Sequence, residues 1–406
     1  MPDKISQNGE IAAIVVGGGP AGLTAAIALA QGGLTTVLAG KRPAKGDNRT
    51  TALLGGSVAA LEALGVWQLC RERTAPLKIM RIIDDTGRLW RAPEAKFEAH
   101  EIDLEAFGYN IENHDLVAAL ESRARTLPNL RLIDDEVVSV TPDDDAVTVA
   151  LKSGETLRAP LAVGADGRRS LSREAAAISV DERQYSQVAF TVCLTHSRPH
   201  RDSSTEFHTP TGPFTLVPLP GQRSSLVWVL DPATAEELAA LDDAALSAEI
   251  ERAAHSILGK VQVEPGRGLF PLSVATARRF GDRRIALVGE AAHVVPPIGA
   301  QGLNLGLRDA AAIAELASEA HRDGHDIGGD DVLAAYDKMR RTDVGSRTFA
   351  IDLLNRTLLT DFLPVQGVRG LGLYMIDRIG PLRRAVMREG IAPRAAEPRL
   401  MRGEVL

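Results

Sequence analysis

The feature that most constrains this chain is the run Gly17-Gly18-Gly19-Pro20-Ala21-Gly22, which cuts off the continuous apolar stretch Ile11 to Val16 and opens a helix. A branched, uninterrupted apolar stretch has the character of a parallel strand buried on both faces. Pro20 suits the first helical position, where no backbone N–H is needed. Ala21, Gly22, Ala25, Ala26 and Ala28 keep the helix, expected through Ala30, close to a sheet. Gly32-Gly33 ends it, and Leu34 to Ala39 reads as the next strand. Strand, glycine turn, helix and strand together open a dinucleotide-binding fold. Within the turn, Gly17, Gly19 and Gly22 form G-x-G-x-x-G. The first glycine permits the tight turn, the second admits a pyrophosphate to the backbone, and the third lets helix and strand pack closely. Amides of this turn, with Ala21 among them, and the positive helix end would hold the phosphates.

Two later segments have the same strand-then-glycine character. Leu161-Ala162-Val163 reads as a short strand delivering Gly164-Ala165-Asp166-Gly167, with Ser170 and Arg173 behind it as D-G-x-x-S-x-x-R. A carboxylate followed by glycine at a strand end can accept hydrogen bonds while the backbone turns past a ligand. Ile285 to Val288 reads as another strand. It runs into Gly289-Glu290-Ala291-Ala292-His293, then Pro296, Pro297, Gly299, Gln301, Gly302, Leu303, Asn304, Gly306 and Asp309, with a helix expected from Asn304 to about Ala320. Arg49 is a candidate for a phosphate or ribityl contact. His293 has two readings, a loop-fixing side chain or a proton-transfer group. The second strand departs from the pattern: where an acidic residue should meet a ribose, this chain has Gly40.

At 406 residues the chain is long enough for two or three domains. A helix is expected from about Asn113 to Thr126, and strands over Leu130 to Val138 and Ala146 to Leu151. Between about Asp181 and Pro232 the pattern changes to short strands broken by Gly and Pro, which suggests an antiparallel sheet in a second domain. The fold class expected is α/β, a Rossmann-like domain with a mostly antiparallel second domain and a helical C-terminal region. The expected boundaries are 1–75, 106–180 and 271–330 for the discontinuous cofactor domain, 76–105 and 181–270 for the substrate domain, and 331–406 for the helical region. Phe214 and Trp228 fit the core of the second sheet, with a pocket-lining role as the other reading.

A formal net charge of -7 argues against a general nucleic-acid binder and for a small-molecule partner. Cys70 and Cys193 have neither metal-ligand nor disulfide-framework spacing, and the histidines show no ligand pattern, so no metal is expected. A reducing cytoplasm fits. No leader and no run of about 18 apolar residues stands out, so a membrane span is not expected.

The three motifs in this order resemble the class A flavoprotein monooxygenases, the aromatic-hydroxylase family that includes para-hydroxybenzoate hydroxylase. The stretch Pro297-Ile298-Gly299-Ala300-Gln301-Gly302-Leu303-Asn304-Leu305-Gly306-Leu307-Arg308-Asp309 is similar to the signature of its ubiquinone-biosynthesis subgroup. Gly212-Pro213-Phe214, Leu216 to Leu219, Val227-Trp228 and Phe270-Pro271-Leu272 add to that likeness. The resemblance implies bound FAD, NAD(P)H as a transient reductant, and hydroxylation of an aromatic ring with dioxygen. It implies no protein nucleophile, because the flavin carries the chemistry. The implied FAD contacts are Gly17, Gly19, Ala21, Gly22, Arg49, Asp166, Gly167, Gly289, Glu290, Pro297, Gly299, Gly302, Leu303 and Asn304.

The subgroup's substrate is a polyprenylated phenol, whose tail implies a membrane surface or a lipid-carrying partner. The C-terminal part offers a surface for either. Leu353, Leu354, Leu358, Leu359, Phe362, Leu363, Leu371, Leu373, Tyr374, Met375 and Ile376 are interspersed with Arg356, Arg369, Arg378, Arg383, Arg384 and Arg388. The same pattern suits helices packed on their own domain. The implied location is cytoplasmic, with peripheral contact at the inner membrane. A hydroxylase of a small soluble aromatic shares every cofactor motif, and a weakly FAD-binding scaffold of a biosynthetic complex is a third reading. The family commonly has glutamate at Gly40, aspartate at Glu290 and often glycine at Ala300. These departures bear on how tightly FAD is held.

Overall fold

The computed structural model describes residues 10–42, 49–87, 93–297 and 300–359 (backbone only beyond 345), positions 380, 383, 384 and 387, and residues 397–406. Ala13–Val16 is buried at every position, as its branched run requires. It pairs in parallel with Thr36–Ala39 on one side and Leu161–Gly164 on the other. Leu130–Ile133 extends the sheet past Thr36–Ala39, and Ile285–Leu287 extends it past Leu161–Gly164, both in parallel. Gly281–Asp282 closes that edge antiparallel. Among the described residues this gives a six-stranded sheet assembled from distant parts of the chain. Because five strands run the same way, Gly17, Gly40, Ala165 and Gly289 all emerge at one edge, where α/β sheets bind their ligands.

The helix Pro20–Gln31 is buried continuously from Gly22 to Ala30. Its small residues let it lie between the sheet and the helix Gln301–Arg322. That second helix starts three residues earlier than the sequence suggests, because Ala300 takes a left-handed φ of 55° and caps it at that point.

The second sheet runs in the order His293–Val294, Gly268–Ala277, Val180–His196, Arg223–Leu230, Gly212–Leu219, Ser203–Thr209, Ile79–Asp84 and Ala95–Glu98, with Val261–Val263 also pairing to Val180–His196. Stretches 76–105 and 181–270 therefore share one sheet, which runs on to Ala277 and His293. On one face Phe190, Phe207, Phe214, Leu226 and Trp228 pack beneath the helices Pro232–Ala240 and Asp243–Ala253. Each such side chain contributes about 1.5–3 kcal/mol by leaving water.

Two stretches differ from expectation. Leu130 to Val138 is two strands, Leu130–Ile133 in the cofactor sheet and Val137–Pro142 in a three-stranded sheet with Val147–Leu151 and Thr156–Ala159. The acidic residues Asp134, Asp135 and Glu136 turn the chain between them, with Asp135 accepting from the Ser153 amide at 3.0 Å. Thr50–Leu54, read from sequence only as the neighbourhood of Arg49, is a strand paired to Gly108–Glu112.

Near the C-terminus, Leu400 and Met401 are buried against the helix Gly55–Ala63. Of the basic and apolar C-terminal residues, Phe362, Leu363, Arg369, Leu371, Leu373, Tyr374, Met375, Ile376, Arg378 and Arg388 lie outside the described residues. For Leu353, Leu354, Arg356, Leu358 and Leu359 only the helical backbone is described. Arg383 packs inward: it pairs with Glu101 at 2.6 Å and its guanidinium lies 4.6 Å over the Phe97 ring. Among the described residues no helix is long and apolar enough to cross a membrane.

Candidate functional site

The three glycine-rich segments meet at the strand ends through backbone contacts that leave no room for side chains. Gly17 has a φ of +121°, and a Cβ on it would lie 2.2 Å from the Ala165 carbonyl oxygen, so the first and second segments touch there. A Cβ on Gly22 would lie 2.0 Å from the Gly17 oxygen. The third segment meets the first at Gly289, whose φ is +63°. A Cβ on Gly306 would lie 3.2 Å from the Gly289 Cα and 3.3 Å from the Ala21 methyl. Ala21 is thereby a spacer between two helices and a loop, and its methyl is spent on packing.

Gly19 differs from its neighbours, since a Cβ there would meet nothing within 4 Å. Protein packing does not require a glycine at this position. The residue caps the helix that begins at Pro20, so its open side faces the amide-rich, positive helix end. That open side fits a pyrophosphate, which a side chain at Gly19 would exclude.

Asp166 uses both carboxylate oxygens within the protein: one accepts from the Ser170 hydroxyl at 2.6 Å, the other from the Ser172 amide at 3.0 Å and hydroxyl at 3.1 Å. Both oxygens are thus spent on the turn and the start of the short helix that follows. Arg173 donates to the Ala291 carbonyl at 2.9 Å, tying the second segment to the third. Gly167 is left-handed at φ +78°, with open space on its Cβ side.

In the third segment Glu290 is about half exposed and lies 3.5 Å from Arg168. His293 is buried and donates to Asp309 at 2.6 Å, which is the loop-fixing reading and leaves it no access to a substrate. Burial alone would raise the Asp309 carboxyl, but His293 and Arg340 outweigh it and hold the group below the ordinary carboxylate value. The Asn304 carboxamide is held by protein groups at both ends. Its oxygen accepts from the Leu54 amide at 2.9 Å and the Ser57 hydroxyl at 2.6 Å, and its nitrogen donates to the carbonyls of Ala52 and Ala300. With the carboxamide saturated by protein groups, Asn304 clamps the Thr50–Leu54 strand to the long helix. Pro297 and Gly302 are exposed and Leu303 half-buried beside that helix start, while Gly299 lies outside the described residues.

Phe214 and Trp228 are buried, at 0% and 8% exposure. Both sit in the cluster under the two helices, ring against ring at 4.9 Å, on the far face of their sheet. The near face is identified by Ser225, whose hydroxyl accepts from Thr50 at 2.8 Å and from Asn110 at 3.3 Å. Side chains two residues apart share a face, so Val227 and Val229 join Ser225 there. They cluster with Tyr185, Ala189, Phe270 and Leu272. The exposed Arg49 lies with its guanidinium 5.3 Å over the Phe270 ring. Sequence alternation could not find this face, because Leu226 to Leu230 is apolar throughout. Arg340 and Ser57 gave no sequence signal either, since each acts on the site through a residue far along the chain.

Gly40 packs its backbone on the first glycine turn: a Cβ would lie 2.8 Å from the Gly18 nitrogen. Lys41 and Arg42 beyond it are paired with Glu136 and Asp134. Among the described residues one group has metal-ligand proximity, Glu112, His114 and Asp115, with ligand atoms within 4.8 Å of one another. Its carboxylates are engaged by Arg223 at 2.9 Å and Arg73 at 2.7 Å.

Comparisons with known proteins agree with this geometry. The chain is 37% identical over 403 residues to ubiquinone hydroxylase UbiL of Rhodospirillum rubrum, covering 96% of this chain and 92% of that one. It is 33% identical to the 3-demethoxyubiquinol 3-hydroxylase of Escherichia coli, over 94% and 98% of the two chains. Its fold matches p-nitrophenol 4-monooxygenase PnpA of Pseudomonas putida with a TM-score of 0.76 at 21% identity, covering 95% and 99%. The FAD binding domain family matches residues 10–348, the span that contains all three glycine-rich segments, and the chain belongs to that family.

Proposed function

We propose that this protein is an FAD-dependent monooxygenase that uses NAD(P)H and dioxygen to hydroxylate the aromatic ring of a polyprenylated phenol in ubiquinone biosynthesis. The observation that carries the reading is the meeting of three glycine-rich segments at the ends of parallel strands, where Gly17 abuts Ala165 and Gly289 abuts Ala21. The relatives named above, with activities on ubiquinone and demethoxyubiquinol, supply the substrate class. The contact assignment is ours: the amides around Gly17, Gly19 and Gly22 take the pyrophosphate, Gly167, Arg49 and Glu290 flank the ribityl region, and Gly289, Pro297, Gly302 and Leu303 line the ring. Asp166, Ala21 and Asn304 shape the site from behind.

When bound, FAD supplies the redox and oxygen-transfer chemistry. The chain's own residues bind, orient and exclude water. The helix beginning at Gln301 turns its positive end toward the loop, where it favours negative charge. The partly buried Val227, Phe270 and Tyr185, packed on the buried Val229 and Leu272, are the side chains we assign to an aromatic ring. Such a surface keeps water from the reacting atoms. We assign the domains at the boundaries expected above, with residues 271–277 and His293–Val294 lending strands to the second sheet, and place peripheral membrane contact or a lipid-carrying partner in the C-terminal region.

The test is purified protein together with a deletion strain. Expected outcomes are stoichiometric flavin absorbance, and loss of ubiquinone with accumulation of a prenylated precursor. Normal quinone content with intact flavin binding would move the substrate to a small soluble aromatic. Absence of flavin would leave the scaffold reading.

A further inference from the structure

Asp309 is completely buried inside the helix Gln301–Arg322, more than two turns from its start. One carboxylate oxygen accepts from two groups of the same loop, the Gly289 amide at 2.9 Å and the His293 ring at 2.6 Å. The acceptor is a carboxylate, so the His293 Nε2 is the donor, and its Nδ1 is buried without a hydrogen-bond partner. Two donors four residues apart, gathered on one oxygen, fix the backbone from Gly289 to His293 as a unit. That unit carries Glu290 and leads directly into Pro296 and Pro297.

The other oxygen accepts from Arg340 at 2.6 Å. Arg340 is itself buried and bonds Asp343 at 2.7 Å. Arg308 lies 4.0 Å from Asp343 and bonds Glu397 in the C-terminal segment. Alternating charges thus run from the C-terminal segment to the loop, and hold Asp309 from the side away from it. A charge taken out of water is expensive, and apolar side chains of similar size commonly serve a purely structural role as well or better. Here the buried carboxylate instead spends one oxygen wholly on the loop, beside a glycine held at φ +63°.

We propose that Asp309 is a positioning residue for the flavin: held by Arg340, it sets the Gly289–His293 loop and through it the placement of the cofactor. The inference rests on the reading that the chain binds FAD. Its test uses the whole protein as wild type, Asp309→Asn, His293→Leu and His293→Gln. Apoprotein is titrated with FAD by flavin fluorescence, the midpoint potential of the bound flavin is measured, and apoprotein melting is recorded separately. Losing a charge-assisted hydrogen bond should raise the FAD dissociation constant roughly tenfold or more in Asp309→Asn and His293→Leu, with a shifted potential. His293→Gln keeps an N–H donor and should bind FAD within about threefold of wild type. If Asp309→Asn does not fold, the histidine pair decides. Unchanged FAD affinity and potential in His293→Leu, with lowered melting alone, would overturn the proposal. Wild-type protein that takes up no FAD would instead overturn the functional reading, and the inference with it.

Discussion

Gly40 ends the second strand with its Cα so close to the first glycine turn that a Cβ would sit 2.8 Å from the Gly18 nitrogen and 2.9 Å from the Gly17 Cα. From sequence the position reads as a missing ribose carboxylate. From structure it is a contact that only glycine makes without movement. Gly40→Glu is therefore expected to weaken FAD binding, because the gain of a carboxylate comes with displacement of the turn that holds the pyrophosphate. Flavin fluorescence titration of the apoprotein measures it. Tighter binding than wild type would mean that the turn adapts and that only the acid was lacking.

Gly19 and Gly22 belong to one motif yet should fail in different ways. Gly19→Val puts its side chain into open space, so the apoprotein should fold with near wild-type melting and retain no FAD. Gly22→Val drives a side chain to within 2.0 Å of the Gly17 oxygen and should abolish the folded protein. Circular dichroism beside flavin absorbance separates the two, and equal loss of fold in both would contradict the placement of the pyrophosphate at Gly19.

Phe214 should matter to stability and not to substrate affinity. It is fully buried beneath the two helices of the second domain. Truncation to alanine is expected to cost about 3–5 kcal/mol, read as a lower denaturant midpoint. KM for the aromatic substrate should stay within about twofold of wild type. A large rise in KM with unchanged stability would return Phe214 to the pocket.

The two thiols give a signed pH dependence. Burial pushes Cys70 up to about 11 and Cys193 up to about 12. An unfolded thiol ionises near pH 8.5, so above that pH the unfolded chain releases protons that the folded chain keeps, and stability falls as pH rises toward 11. The urea midpoint should drop between pH 8 and pH 10. The drop should be smaller in a Cys70→Ala, Cys193→Ala double variant; an identical drop would show that other groups account for it.

What was legible in the sequence was local. The strand before Gly17 and the helix from Pro20 are written in neighbouring residues: a branched apolar run, a glycine turn, a proline at the helix start. The capping serine at position 170 follows its aspartate by four residues, and the structure joins them. What was not legible depends on partners far along the chain. Asn304 has the composition of a ligand contact, and only the approach of Leu54 and Ser57 shows that its amide is already occupied. Trp228 sits in an apolar run whose two faces look alike, and only Ser225 touching Thr50 tells which face meets the Thr50–Leu54 strand. Arg340 became relevant only because a second helix brings it to Asp309.

The order of strands in the cofactor sheet also bears on when the protein can acquire its flavin. Neighbouring central strands begin at residues 13, 161 and 285, and the loop that completes the site lies near residue 300. Contacts so distant in sequence form late and slowly. During synthesis the pyrophosphate turn leaves the ribosome long before the residues that hold the ring end exist, while the first apolar strand waits with only one of its two neighbours. A cofactor held by all three segments would therefore be bound stably only once residues 285–309 have been made.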